Sequence, residues 1–234
     1  MINNLFSSSE KLIQEFETDF FIKTILPFYP HESEFTEILG DWVYRSGTFR
    51  KDFAIMDDKR FPEFYRYING IEFENNLRDL TNVDCELRIG AVLNHTYTKN
   101  GRAPGLMPHV DVYSKIATII VNLGDLDSYT GGRTCWHNHD DIPEYHKKMV
   151  YQCREDPNVV KNIWEDYRDN TTEIYNIKPI FEMNELPIIF FNGDTSWHSV
   201  SEMYSNTDDE CVRKILTITV NNASYDYHKF ENKK

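Results

Sequence analysis

The stretch MPHVDVYSKIATIIVNLGD, residues 107–125, joins two patterns whose combination decides the fold. Its second half, IATIIVNL, is apolar and rich in Ile, Val and Thr, and is closed by Gly124 and Asp125, which marks a strand. Its first half sets His109 and Asp111 two residues apart at the mouth of that strand. His-x-Asp alone describes a polar turn as well as it describes half of a metal site. A third partner on another strand is needed to separate the two.

Outward from this stretch, the chain from about residue 84 is a succession of short β runs. They are CELRIGAVLNHTYT (85–98), GGRTCWH (131–137), EIYNIKPIFEM (173–183), LPIIFFNGD (186–194) and VRKILTITVNN (212–222), bounded by Gly, Asn, Asp and Pro. Strands linked by turns predict a sandwich or barrel rather than a doubly wound sheet. The first 83 residues read mostly as helix. Residues 7–26 begin with a Ser7-to-Glu10 capping pattern, and 61–80 carry Pro62 in a first turn. One segment, 140–170, interrupts the strands with a polar helical pattern split at Pro157. No repeat or low-complexity linker divides the chain, so 1–234 reads as one domain: 1–83 helical support and 84–222 a β core holding the insertion.

Composition narrows the function classes. Thirty-eight acidic against 25 basic residues give a net charge of −13, with no long basic run, which disfavours nucleic acid and anionic membranes as partners. The apolar runs are too short to span a bilayer. The opening residues lack a basic start followed by an apolar stretch, and four scattered cysteines show no disulfide spacing. A soluble chain in the cytoplasm is expected.

The third partner lies in FFNGDTSWHSVSEM. A strand ends in the Asn192-Gly193-Asp194 turn, and His198 opens the next extended stretch. Two residues from one strand edge and one from a distant strand can converge on one face of a metal ion. Two imidazoles and one carboxylate leave three positions open and keep Fe(II) net positive, ready for an anionic co-substrate and dioxygen. Such an anion needs a cation at its far end. Arg213 lies on a strand 15 residues beyond His198, sharing a face with Ile215 and Thr217 if the strand is regular. The alternative is that Arg213 meets solvent and Lys214 points inward.

In this order and spacing, MPHVDVYSKIATIIVNLGD, YTGGRTCW, LPIIFFNGDTSWHSV and VRKILTITVNN resemble the Fe(II)/2-oxoglutarate-dependent oxygenases, particularly the prolyl-hydroxylase-like branch. The likeness covers about residues 84–222. It implies a double-stranded β-helix (jelly-roll, cupin-like) core flanked by N-terminal helices and a helical insertion. It also implies that His109, Asp111 and His198 hold Fe(II) and that Arg213 binds the distal carboxylate of 2-oxoglutarate. Gly131-Gly132 looks like the glycine pair preceding a core strand, which would place Thr134 and Trp136 on one face as candidates for substrate contact. Tyr97 is the nearest counterpart of a co-substrate-binding tyrosine. Ile215 departs from the Ser or Thr that many relatives carry two residues after the arginine.

The resemblance implies oxidation, most simply hydroxylation, of a C–H bond with O2 and release of succinate and CO2. Asp111 speaks against the halogenating relatives, which lack the carboxylate. A small molecule such as an amino acid is the expected substrate. A peptidyl proline is the alternative, and a non-catalytic jelly-roll module that binds a metal or ligand is the alternative from another class.

A rival constellation is TCWHNHDD (134–141), where Cys135, His137, His139 and Asp140 could make a metal site and HNH resembles a nuclease motif. The acidic chain and the missing second ligand pair weigh against both. His31, His95, His146 and His228 read as surface residues, and Asp194 as a turn residue near His198. The 140–170 insertion is expected to be a partly mobile cover over the site, with a rigid decoration or dimer contact as the alternative.

Overall fold

The computed structural model of the chain describes residues 45–46, 50–54, 66, 68–81, 83–122, 126–155, 177–182, 188–207 and 210–225. The helix expected over 7–26, Pro62, His31, His228 and the second half of the insertion lie outside the described residues.

Six strands form the larger sheet: β1 (Arg45–Ser46), β2 (Arg50–Ala54), β3 (Leu87–Tyr97), β13 (Val212–Asn222), β6 (Lys115–Asn122) and β10 (Ile188–Phe191), in that order. A second sheet sets β5 (Leu106–His109), β11 (His198–Val200), β8 (Thr134–Trp136) and β9 (Phe181–Glu182) side by side. A third joins β4 (Arg102–Ala103), β12 (Met203–Ser205) and β7 (Tyr129–Gly131). All pairings among the described strands are antiparallel. From β3 onward the chain passes repeatedly between the larger sheet and the smaller two. That is the path of a jelly roll, and it is the expected core.

The reason β6 reads as an unbroken apolar run is that both its faces are buried. Thr118 and Ile120 face a cavity between the sheets, while Ala117, Ile119 and Val121 are buried on the other side. β13 lies between β3 and β6 and pairs with β3 along its whole length. Helix α1 (Ile71–Thr81) buries Phe73 and Leu77 completely. It begins only after a turn at Asn69–Gly70, so the helix read over 61–80 is interrupted there.

Before residue 83 the described residues include strands as well as a helix, and β2 pairs with β3 and extends the larger sheet. Its sequence, RKDFA, has no apolar alternation to betray an outer strand. In the first half of the insertion, the packing favours the alternative of a rigid decoration over a partly mobile cover. Helix α2 (Glu144–Glu155) buries His146, Lys147, Met149, Val150, Cys153 and Arg154. Among the described residues no helix is long and apolar enough to cross a membrane.

Candidate metal centre

β-Sheet register brings the two histidines together. His198 on β11 stands directly opposite His109 on β5, and opposite Trp136 on β8. Facing residues on neighbouring antiparallel strands bring their Cβ atoms within about 5.5 Å, and here the imidazole centroids are 4.2 Å apart. Asp111, two residues beyond His109, completes a group whose ligand atoms all lie within 4.8 Å of one another. Asp111 and His198 are buried and His109 is half-buried.

Hydrogen bonds fix which ring nitrogen points inward. His109 Nδ1 lies 2.9 Å from the Met107 carbonyl oxygen, and His198 Nδ1 lies 2.9 Å from that of Ser196. A carbonyl oxygen only accepts, so each Nδ1 carries the proton and each Nε2 keeps its lone pair for a metal. Burial lowers the pKa of both imidazoles, so both are neutral near pH 7. Burial pulls the Asp111 carboxyl the other way, but Lys115, His198 and His109 outweigh it and hold the group below its ordinary range. Lys115 Nζ donates to Asp111 Oδ1 at 2.7 Å and Thr118 Oγ1 to Oδ2 at 2.9 Å. Two neutral imidazoles and one ionised carboxylate make a donor set that suits Fe(II), and among the described residues no further His, Cys, Asp or Glu joins it.

The three residues line a cavity of about 510 Å3, within the range of small-molecule sites. Arg213, Ile215 and Thr217 of β13 line it too, so the regular alternation read from the sequence holds and Arg213 points inward. Arg213 is 8% exposed, and its Nη2 is 3.5 Å from Thr134 Oγ1. Gly132, at φ 63°, makes room for it, and Gly131, at φ 75°, makes room for the Glu202 backbone. A Cβ on Gly131 would lie 1.9 Å from the Glu202 carbonyl oxygen, and one on Gly132 would lie 3.1 Å from Arg213 Cδ.

Thr134, a candidate for substrate contact, lines the cavity. Trp136 packs with Ile120, Phe190 and Ile215, its ring 4.7 Å from Phe190 and 5.5 Å from His198. Tyr97 does not line the cavity. On β3 the lining positions are Asn94 and Thr96, and Thr96 is the residue opposite Arg213. Tyr97, one position on, faces the other side, where its hydroxyl is 3.3 Å from His95 Nδ1. Asn94, Thr96, Thr118 and Phe190 were not singled out from the sequence, because Thr and Asn in a strand look the same on either face.

The rival cluster does not assemble. His137 Nε2 is 2.7 Å from Ser199 Oγ, and His139 Nδ1 accepts from Trp197 Nε1 at 3.0 Å. His146 is fully buried rather than superficial, and its Nε2 donates to the Pro108 carbonyl at 2.6 Å. Asp194 does close the turn before His198. Its carbonyl accepts from Trp197 Nε1, and its carboxylate pairs with Arg154.

No protein-family model and no curated protein sequence matches the chain. Among solved structures it is similar to an oxidoreductase of the 2OG-Fe(II) oxygenase family from Burkholderia pseudomallei, with 11% identity over 82% of this chain and 77% of that one and a TM-score of 0.49. It is also similar to HygX from Streptomyces hygroscopicus, solved with nickel, 2-oxoglutarate and hygromycin B (13% identity, 83% and 79% covered, TM-score 0.45). A Pseudomonas putida prolyl-4-hydroxylase is a third (9% identity, 82% and 84% covered, TM-score 0.43). Overlap and identity this low decide nothing about the chemistry, which rests on the residues themselves.

Proposed function

We propose that the chain is an Fe(II)- and 2-oxoglutarate-dependent dioxygenase that hydroxylates a C–H bond of a small molecule such as an amino acid, with release of succinate and CO2. The observation that carries this reading is that His109, Asp111 and His198 open onto the same cavity as the buried Arg213 guanidinium. Iron and 2-oxoglutarate bound there would supply the activation of dioxygen.

Each residue has a role its surroundings support. The two Nε2 lone pairs and one Asp111 oxygen hold the ion, and the Met107 and Ser196 carbonyls keep the rings aimed. Lys115 and Thr118 orient the carboxylate, one on each oxygen. Arg213, steadied by Thr134, anchors the distal carboxylate of 2-oxoglutarate through a charged hydrogen bond. Ile120, Phe190 and Ile215 present an apolar wall that keeps water from the reacting atoms.

The test is succinate release and O2 uptake by the full chain with Fe(II) and 2-oxoglutarate, across a panel of amino acids, small metabolites and a prolyl peptide. Stimulation by a small molecule is expected, and Asp111→Ala should abolish both stoichiometric iron binding and turnover. Stimulation by the peptide alone would move the substrate to proteins. Metal binding with no 2-oxoglutarate consumption under any condition would leave a non-catalytic module.

A further inference from the structure

Helix α2 touches the chain on both sides of the donor set, and one of its residues does so in a single side chain. Val110, between His109 and Asp111, is buried in one cluster with Ile142, Met149, Val150 and Trp197, the residue just before His198. Arg154, 4% exposed, reaches past this cluster to the turns themselves. Its Nη1 is 2.7 Å from Asp194 Oδ1 and its Nη2 is 3.3 Å from Asn192 Oδ1, both in the turn that leads to His198. Its guanidinium carbon lies 3.9 Å from the centre of the Tyr113 ring, in the turn that follows Asp111. Asn192 continues the link, donating its Nδ2 to the carbonyls of Val112 at 2.8 Å and Lys115 at 3.0 Å. One planar cation thus joins the segment after Asp111 to the segment before His198.

We propose that Arg154 is a positioning residue: it sets the spacing of the Asp111 and His198 turns, and with it the geometry in which the donor set takes a metal. The inference rests on the reading of His109, Asp111 and His198 as that donor set. Ion pairing alone does not explain a buried arginine here, because the Asp194 side chain is 73% exposed and a pair with so wet a partner adds little stability. What the site uses is shape. A guanidinium offers a rigid fork for two acceptors and a flat face for an aromatic ring at once, which an ammonium cannot do.

Co(II) is the probe, titrated calorimetrically into the full chain well below its melting temperature, with the visible absorption of the bound ion as a second readout. Arg154→Met is expected to weaken Co(II) binding about tenfold or more and to change the absorption, as loss of an outer partner of a metal site does. Arg154→Lys keeps the charge without the fork and should behave like Arg154→Met. Asp194→Ala removes an exposed side chain, folds without loss of core packing, and should weaken Co(II) binding a few-fold. Glu144→Ala, which breaks a separate α2 ion pair with Lys147, should leave both readouts unchanged. If Arg154→Met does not fold, Arg154→Lys and Asp194→Ala decide. Wild-type Co(II) affinity and absorption in both overturn the positioning role. Failure of the wild type to bind Co(II) stoichiometrically overturns the metal reading itself, and this inference with it.

Discussion

Arg213 and His198 face the same cavity, yet the chain holds them by opposite means. Arg213 sits in β13, which is hydrogen-bonded to β3 throughout and to β6 over most of its length. Its position is set many times over by backbone register. His198 opens the short β11, which has an irregular register with β5, and Asp111 lies beyond the end of β5 altogether. Beyond the short ladders of β11 with β5 and β8, the turns that carry those two are held by side chains from elsewhere: Trp197 in the α2 cluster, Asn192 on two carbonyls, Arg154 on both turns. A ladder is tolerant of single side-chain losses, whereas a turn held by three or four side chains is not.

The largest expected effect tests the turn side. Trp197 is 1% exposed, is buried in the α2 cluster, and donates its Nε1 to His139 and to the Asp194 carbonyl. Trp197→Ala should cost about 3–5 kcal/mol in urea unfolding, the usual range for emptying a core aromatic position. Because the lost ring also supports His198, metal binding should weaken in whatever folded protein remains. Stability loss with unaltered metal affinity would show that the turn holds His198 without it.

On the strand side, Arg213→Gln should remove one charged hydrogen bond and leave the ladder intact. The expected loss is about 1.5–3 kcal/mol, or roughly ten- to a hundredfold in the apparent affinity for 2-oxoglutarate. Unfolding and metal affinity should stay near wild type. An unchanged 2-oxoglutarate requirement would put the anchor elsewhere.

The same contrast explains what is legible in the sequence. β13 is legible to its residue boundaries, and a period of two puts Arg213, Ile215 and Thr217 on one face, but only the packed sheets make that face the inward one. The histidines and Asp111 were found by motif order, and register explains why they meet. Tyr97 is the nearest tyrosine to the motif in sequence, but a shift of one residue along a strand turns a side chain to the other face, and its ring lies away from the cavity. α2 was visible as a helix but not as a support. Its buried face includes His146, Lys147 and Arg154, polar residues that hydropathy assigns to solvent. Partners reached over dozens of residues, such as the Pro108 carbonyl for His146, leave no local trace.

A smaller effect concerns pH and again lies beside the short strands. His137 is buried next to Ser199 of β11, and desolvation lowers its pKa from 6.5 to about 4. Between these values the unfolded chain binds the proton more readily, so acid favours unfolding there; above about 6.5 both forms are neutral and the contribution is complete. The loss should reach no more than about 2 kcal/mol, since solvent screens part of the difference. His109 and His198 add to the same slope, so the check is a difference. The wild type should lose more stability than His137→Gln between pH 7 and pH 4, and parallel curves would assign the acid sensitivity to the other two.

The smallest effect returns to the strand side and sharpens the contrast most. Gly132 has φ 63°, a left-handed conformation that costs other residues about 1 kcal/mol. Its backbone N–H donates to the carbonyl of Glu202, the residue just before β12, at 2.9 Å, which holds it in place. A Cβ here would lie 3.1 Å from Arg213 Cδ and 3.3 Å from Met203 Cβ. Met203 is buried and cannot withdraw, whereas the arginine side chain can rotate away. Gly132→Ala should therefore lower stability by about 1 kcal/mol and raise the 2-oxoglutarate requirement a few-fold, by pushing the guanidinium from its place beside Thr134. Metal affinity should not change, because β13 keeps its register and the turns that carry Asp111 and His198 are untouched. A coupled loss of metal affinity would mean that the ladder and the turns are one mechanical unit, and that the two ends of the cavity are not held independently.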